Sequence, residues 1–191
     1  MKLYIKSMFT FRSKLVIKEE LHKVGLKAFK VDFGEVEIFE PLSPDQHQQL
    51  KAVLMATGYE LIDDSKAILI DKIMNVIIHT IHFSEERPIG NFSDYLSQEL
   101  EYNYTYLSNL FAEVTGSTIE RCLIAHKIEK VKELILYDEL SLTEIAATLR
   151  YSSVSHLSSQ FKKVTGLTPT FFKTLKFKKR TPIEEVCNSD C

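Results

Sequence analysis

The chain has 191 residues, a formal net charge of −2 and 45% hydrophobic residues. That length suits two small domains with separate cores, and the small net charge excludes a protein that is basic throughout, so any nucleic-acid footprint has to be local. Between Ile145 and Ile183 stand eight basic residues (Arg150, Lys162, Lys163, Lys173, Lys176, Lys178, Lys179 and Arg180) and no Asp or Glu. Cys122, Cys187 and Cys191 are odd in number and fit no disulfide framework, which predicts reduced thiols in a cytoplasmic protein. No signal peptide is read at the start. The longest apolar stretch, Ile68 to Ile81, is broken by Asp71, Lys72, Asn75 and His79, too polar for a membrane span.

In chain order, Leu3 and Ile5 alternate with Lys2, Tyr4 and Lys6, the period of a half-buried strand. Ile17, Leu21 and Val24 recur at helical spacing, and Gly25 follows as a stop. FKVDF and EVEIF flank Gly34 as a hairpin. Ser43 and Pro44 open a second helix with Leu50, Val53 and Leu54 on one face, and YELI closes the unit as a strand. The order βαββαβ is the ferredoxin-like split βαβ pattern. A domain boundary is placed near Asp63 to Lys66, beyond which all signals are helical.

The second half contains an internal repeat at an offset of 50 residues. LSNLFAEVTGST (Leu107 to Thr118) aligns with LSSQFKKVTGLT (Leu157 to Thr168), identical at seven of twelve positions. Upstream, Phe92, Ser93 and Leu96 align with Leu142, Thr143 and Ala146. In the clearer second copy, Ser141 to Glu144 is a capping box opening a short helix with Leu142, Ile145, Ala146 and Leu149 on one face. After Arg150-Tyr151-Ser152 comes another helix, with Val154, Leu157, Phe161 and Val164 as the expected buried stripe and Gly166 as the stop. Two short helices joined by a tight turn form a helix-turn-helix. Ser155, His156, Ser159, Lys162 and Lys163 are then left outward, small polar groups at one end and cations at the other, as suits a helix in a major groove.

SLTEIAATLRYSSVSHLSSQFKKVTGLTP resembles the second helix-turn-helix of AraC/XylS-type transcription regulators, and HKIEKVKELILYDELS resembles their linker helix. The likeness covers roughly Lys66 to Leu175 and keeps EIA, YSS, FKK and the Gly-x-Thr-Pro in register. It implies a sequence-specific regulator that binds double-stranded DNA and works with RNA polymerase. Carried over by position, the base-reading residues fall on Ser155, His156 and Ser159 in the second unit, and on Thr105, Ser108 and Asn109 in the first. Phosphate contacts fall on Ser153, Lys162 and Lys163, on the amides after Thr168-Pro169, and on Lys173.

Two departures stand out. Arg150 occupies the usual turn glycine, which costs about 1 kcal/mol if the residue is left-handed. Lys66 to Ser117 carries three basic and seven acidic residues, with Glu99, Glu101 and Glu113 flanking the first unit's recognition helix, so that unit is expected to bind DNA weakly. A second capping box, Ser117 to Glu120, opens a helix running to Tyr137, a rod of about 30 Å that matches the ~34 Å between successive major grooves. The rival reading is a degenerate regulator fold serving as a protein-interaction module.

The N-terminal unit is similar to the heavy-metal-associated domain, whose Met-x-Cys-x-x-Cys loop here reads Met8-Phe9-Thr10-Phe11-Arg12-Ser13. Without the cysteines it is expected to bind no metal. Phe9 and Phe11 offer an apolar loop or core side chains, with a homodimer or a protein partner through this domain left open. His79 and His82 share a helix face but have no third ligand at metal spacing. No phosphate loop, nucleophile elbow or catalytic carboxylate pair is present in the sequence, so neither an enzyme nor a cofactor is expected.

The expectation is therefore an α+β protein: a ferredoxin-like domain over 1–63, an all-α double helix-turn-helix domain over 64–180, and a disordered tail over 181–191.

Overall fold

The computed structural model describes residues 1–84, 90–175 and 179–188. Glu85, Glu86 and Arg87, which belong to the charge of the first unit, lie outside the described residues, as do Lys176, Lys178 and Cys191.

The first part of the chain forms β1 (Lys2–Lys6), α1 (Phe11–Lys23), β2 (Ala28–Val31), β3 (Glu35–Ile38), α2 (Pro44–Ala56) and β4 (Glu60–Ile62). The strands make one antiparallel sheet in the order β2-β3-β1-β4. Leu3 sits opposite Val36 and Ile5 opposite Leu61. Because successive strand side chains alternate between faces, Leu3, Ile5, Val36, Ile38 and Leu61 all bury into one core with Ile17 and Leu21 of α1 and Leu50 and Leu54 of α2. Both helices begin with capping boxes, from Thr10 and Ser43.

The turn between β2 and β3 needs Gly34. Its φ is +72°, and a Cβ there would stand 2.8 Å from Asn75 Nδ2 and 3.0 Å from Asp71 Oδ2. Asn75 and Asp71 belong to α3 (Ser65–Ile78), which is capped by Asp64 and leads into a π-helical turn, His79–Phe83. Asp71 also accepts a hydrogen bond from the Ser7 N–H at 3.1 Å, so α3 packs with the N-terminal sheet.

Beyond β4 the described residues are helical: α4 (Phe92–Leu100), α5 (Tyr104–Thr115), α6 (Ile119–Tyr137), α7 (Leu142–Thr148), α8 (Val154–Thr165), α9 (Pro169–Thr174) and a 3-10 turn, Ile183–Asn188. The compact units are Met1–His79 with Gly90–Leu110, and Thr80–Ile89 with Phe111–Cys191. The division thus falls later than the boundary expected near residue 63, because α3 is held to the sheet through Asp71 and α4 packs on α3. The chain is α+β, a small antiparallel sheet with helices followed by a helical part. No helix among the described residues is long and apolar enough to cross a membrane.

Within the segment expected to be a disordered tail, the described residues include the 3-10 turn Ile183–Asn188. Arg180 pairs with Glu133 at 2.7 Å, the Thr181 N–H donates to Glu129 Oε2 at 3.1 Å, and Val186 is buried against its surroundings. Cys187 is joined to Cys122 of α6 in a disulfide with Cα atoms 5.1 Å apart, which corrects the expectation of unpaired thiols for these two. The pairing spans 65 residues and arises from the fold, so sequence spacing could not reveal it.

Candidate nucleic-acid interface

The second helix pair is built on α6. Ile128, Val131 and Ile135 of α6 form a core with Ile145, Ala146 and Leu149 of α7, Leu157 and Phe161 of α8, and Phe172 of α9. The Phe161 and Phe172 rings meet edge to face, 5.5 Å between centroids. Ser141 caps α7 reciprocally with Glu144, whose carboxyl is held below its ordinary value by the Ser141 N–H and hydroxyl. The turn to α8 passes through Arg150 at φ 55°, so of the two alternatives left open by the missing glycine the residue takes the left-handed conformation.

The Ser153 hydroxyl caps α8 by accepting the His156 N–H at 3.1 Å. With Leu157 and Phe161 fully buried, Ser155, His156, Ser159, Lys162 and Lys163 are left on the open side of the helix, as expected. Val164 departs from the expected stripe, since it is 41% exposed and stands where α8 ends. The His156 ring is anchored at the start of the helix. Its Nδ1 is 3.1 Å from Ser152 Oγ, and it meets the Tyr151 ring edge-on at 5.3 Å.

The basic run divides. Lys173 pairs with Asp138, and Arg180 with Glu133. Lys162 and Lys163, in the last turn of α8, make no ion pair among the described residues. Cations there also face the negative end of the α8 dipole.

The first pair repeats the construction. α4 begins 50 residues before α7, and α5 spans the positions 50 before α8. Both second helices close alike: Thr115 Oγ donates to the Phe111 carbonyl at 2.7 Å and Thr165 Oγ to the Phe161 carbonyl at 2.8 Å. Gly116 and Gly166 follow at φ +72° and +76°. Thr118 and Thr168 then cap the next helices, α6 and α9. In α5, Thr105 and Asn109 are exposed, Ser108 is half-buried, and the Thr105 N–H is taken by Asn103 Oδ1 at 2.8 Å. Glu99, Glu101 and Glu113 are exposed beside them.

Two buried groups escaped the sequence reading. Burial raises the Asp71 carboxyl to about 6 against the opposing hydrogen bonds from Ser7 and Asn75. Burial, aided by His82, lowers His126 to about 3, so its imidazole is neutral. His82 lies against His126, whereas His79 meets the Phe33 ring at a tilt, so the two histidines of one helix face serve different neighbours.

In the N-terminal loop, Met8 and Phe9 are core residues and Phe11 is 68% exposed. Thr10 and Ser13, at the two positions where the resembling domain has cysteines, bond reciprocally to cap α1: the Thr10 N–H to Ser13 Oγ and the Ser13 N–H to Thr10 Oγ, both 3.1 Å.

Comparison with known proteins agrees with this construction. Residues 96–174 match the family described as "Helix-turn-helix domain". The chain is 24% identical over 162 residues to the "Uncharacterized HTH-type transcriptional regulator YtdP" of Bacillus subtilis, covering 83% of this chain and 21% of that protein. It is 34% identical over 98 residues to the "Xylose operon regulatory protein" of Escherichia coli K12, covering 51% of this chain and 25% of that protein. An "Uncharacterized HTH-type transcriptional regulator" of Staphylococcus aureus is 28% identical over 111 residues, 57% of this chain and 14% of that protein. The chain thus spans a quarter or less of these relatives' lengths. No solved structure matches it. Residues 96–174 of this chain are similar to a helix-turn-helix domain, and two of these relatives are named as transcriptional regulators.

Proposed function

We propose that this protein is a cytoplasmic, sequence-specific DNA-binding transcription regulator of the AraC/XylS type that reads the major groove mainly through α8. The observation that carries this is the division of α8 into a face committed to the core by Leu157 and Phe161 and an open face of Ser155, His156, Ser159, Lys162 and Lys163. The hydroxyls and imidazole are suited to base edges, and the two lysines, one turn further on, to phosphates. Ser153 offers its hydroxyl proton to a phosphate while its oxygen caps the helix. Lys173 contributes only by giving up Asp138.

Thr105, Ser108 and Asn109 of α5 are the corresponding base-facing group of the first unit. Exposed Glu99, Glu101 and Glu113 repel phosphates around it, so the second unit dominates binding. The partners are double-stranded promoter or operator DNA and RNA polymerase. The N-terminal sheet is a ferredoxin-like scaffold, a reading supported by its βαββαβ order with β3 between β1 and β2. It takes no soft metal at its first loop, where Thr10 and Ser13 serve as helix caps.

The experiment is randomised-site selection with the full chain, followed by affinity for the selected duplex across a salt series. A defined sequence is expected, with a log–log salt slope equivalent to several neutralised phosphates. Enrichment of no sequence, together with salt-independent capture of a protein, replaces this reading with that of an interaction module.

A further inference from the structure

Cys122 and His126 stand at i and i+4 on α6, which puts them on one helix face. The anchoring of residues 180 and 181 to Glu133 and Glu129 sends the following chain back along α6 and sets Cys187 beside both. One donor atom from each of the three lies within 4.8 Å of the others, with Cys122 and His126 buried and Cys187 half-buried.

A second observation concerns His126 itself. It is 0% exposed, and its Nε2 has no hydrogen-bond partner among the described residues. Its other nitrogen, Nδ1, is 3.3 Å from His82 Nε2. When Nδ1 carries the proton and donates it to His82, Nε2 is left as a bare lone pair in the interior, a group that costs free energy until something fills it. A ligating histidine characteristically donates its second ring N–H in this way, which fixes the tautomer and aims the ring.

We propose that Cys122, His126 and Cys187, once the disulfide is reduced, form a binding site for Zn²⁺. Two thiolates and one imidazole make the soft, mixed sulfur–nitrogen set that zinc takes tetrahedrally, with Zn–S about 2.3 Å and Zn–N about 2.0 Å. The sulfurs then stand about 3.7 Å apart, a small opening from the bonded pair, and the fourth position is open to water or an added ligand. The chemistry balances with a dithiol as reductant. Its two thiols become a disulfide as the Cys122–Cys187 bond takes two electrons and two protons, and the cation then displaces both protons. Oxidised and loaded forms are exclusive, because a sulfur in a disulfide is not a thiolate.

The test uses the full chain, reduced and kept free of oxygen, dialysed against limiting Zn²⁺ and analysed for metal. One Zn²⁺ per chain is expected in the reduced protein and none in the oxidised protein. Substituting Co²⁺ should give a thiolate-to-metal charge-transfer band and the visible bands of a tetrahedral ion. Cys187→Ser and His126→Gln should each lower the affinity about tenfold or more, with folding checked by circular dichroism. Zinc should protect the half-buried Cys187 from alkylation, located by peptide mapping. The proposal is overturned by a reduced chain that binds no stoichiometric zinc, by a cobalt spectrum without sulfur bands, by undiminished binding in His126→Gln, or by zinc that leaves Cys187 as reactive as before.

Discussion

The Asp71 carboxylate accepts a hydrogen bond from the backbone N–H of Ser7 at 3.1 Å, across 64 residues of chain. Ser7 is one of four non-glycine residues held at positive φ among the described residues, at 62°, and its N–H is turned toward α3. Asn75 Nδ2 donates to the other Asp71 oxygen at 2.9 Å, and Gly34 leaves room for the pair. One carboxyl therefore joins the end of β1, the β2–β3 turn and α3.

That arrangement sets a pH dependence. The Asp71 carboxyl rises from 3.8 to about 6 on folding, so the folded state holds its proton more tightly. The stability this gives is fully present below about pH 4 and is lost as pH rises to about 6, on the order of 3 kcal/mol. Asp71→Asn should flatten the pH 4 to 6 segment of a denaturant-midpoint profile relative to wild type. Parallel profiles would refute it.

Glu101 terminates α4 at φ 58° with its side chain exposed. A residue with a Cβ is strained there and glycine is not, so Glu101→Gly should stabilise the protein by about 1 kcal/mol, visible as a higher thermal midpoint. It also removes one negative charge beside α5.

Within the repeat, Phe161 and Val164 occupy the same expected stripe but not the same environment. Phe161 is fully buried and Val164 is 41% exposed. Phe161→Ala should cost about 3–5 kcal/mol, and Val164→Ala less than about 1. Equal losses by urea denaturation would mean that the end of α8 is packed differently.

Lys162→Glu combined with Lys163→Glu should weaken binding to every duplex alike and reduce the salt slope by about 0.9 for each phosphate no longer neutralised. Fluorescence anisotropy at several salt concentrations measures both quantities, and unchanged affinity would remove α8 from the interface.

Ser155→Ala, His156→Ala and Ser159→Ala should instead relax the selected sequence, each at roughly 1 kcal/mol, the lower part of the range for a base contact. His156 carries the largest of these side chains, and its Nδ1 is engaged by Ser152, so Nε2 is the atom left to meet a base. A His156→Ala protein that selects an unaltered site would show that the ring stays on Tyr151 and never reaches the groove.

The sequence alone determined the elements. Alternation at Leu3 and Ile5, the Ser43 cap before Pro44, the Ser141 capping box and the glycine stop after α8 are local signals, read over one or two turns, and each lies where its pattern put it. By contrast, α6 is capped by Thr118 and not by the expected Ser117 box. The split of α8 into core and open faces was legible for the same reason, since 3.6-residue periodicity fixes which side chains share a side; Val164, in the last turn, left the pattern. Tertiary structure decided what depends on residues distant in the chain. Asp71 became a buried, proton-holding group because packing of α3 beside the sheet takes it out of water, Lys173 was drawn to Asp138, and Cys187 came to Cys122 across 65 residues. Periodicity carries no information about such meetings, because they are set by how the helices and sheet pack and not by the spacing within any one of them.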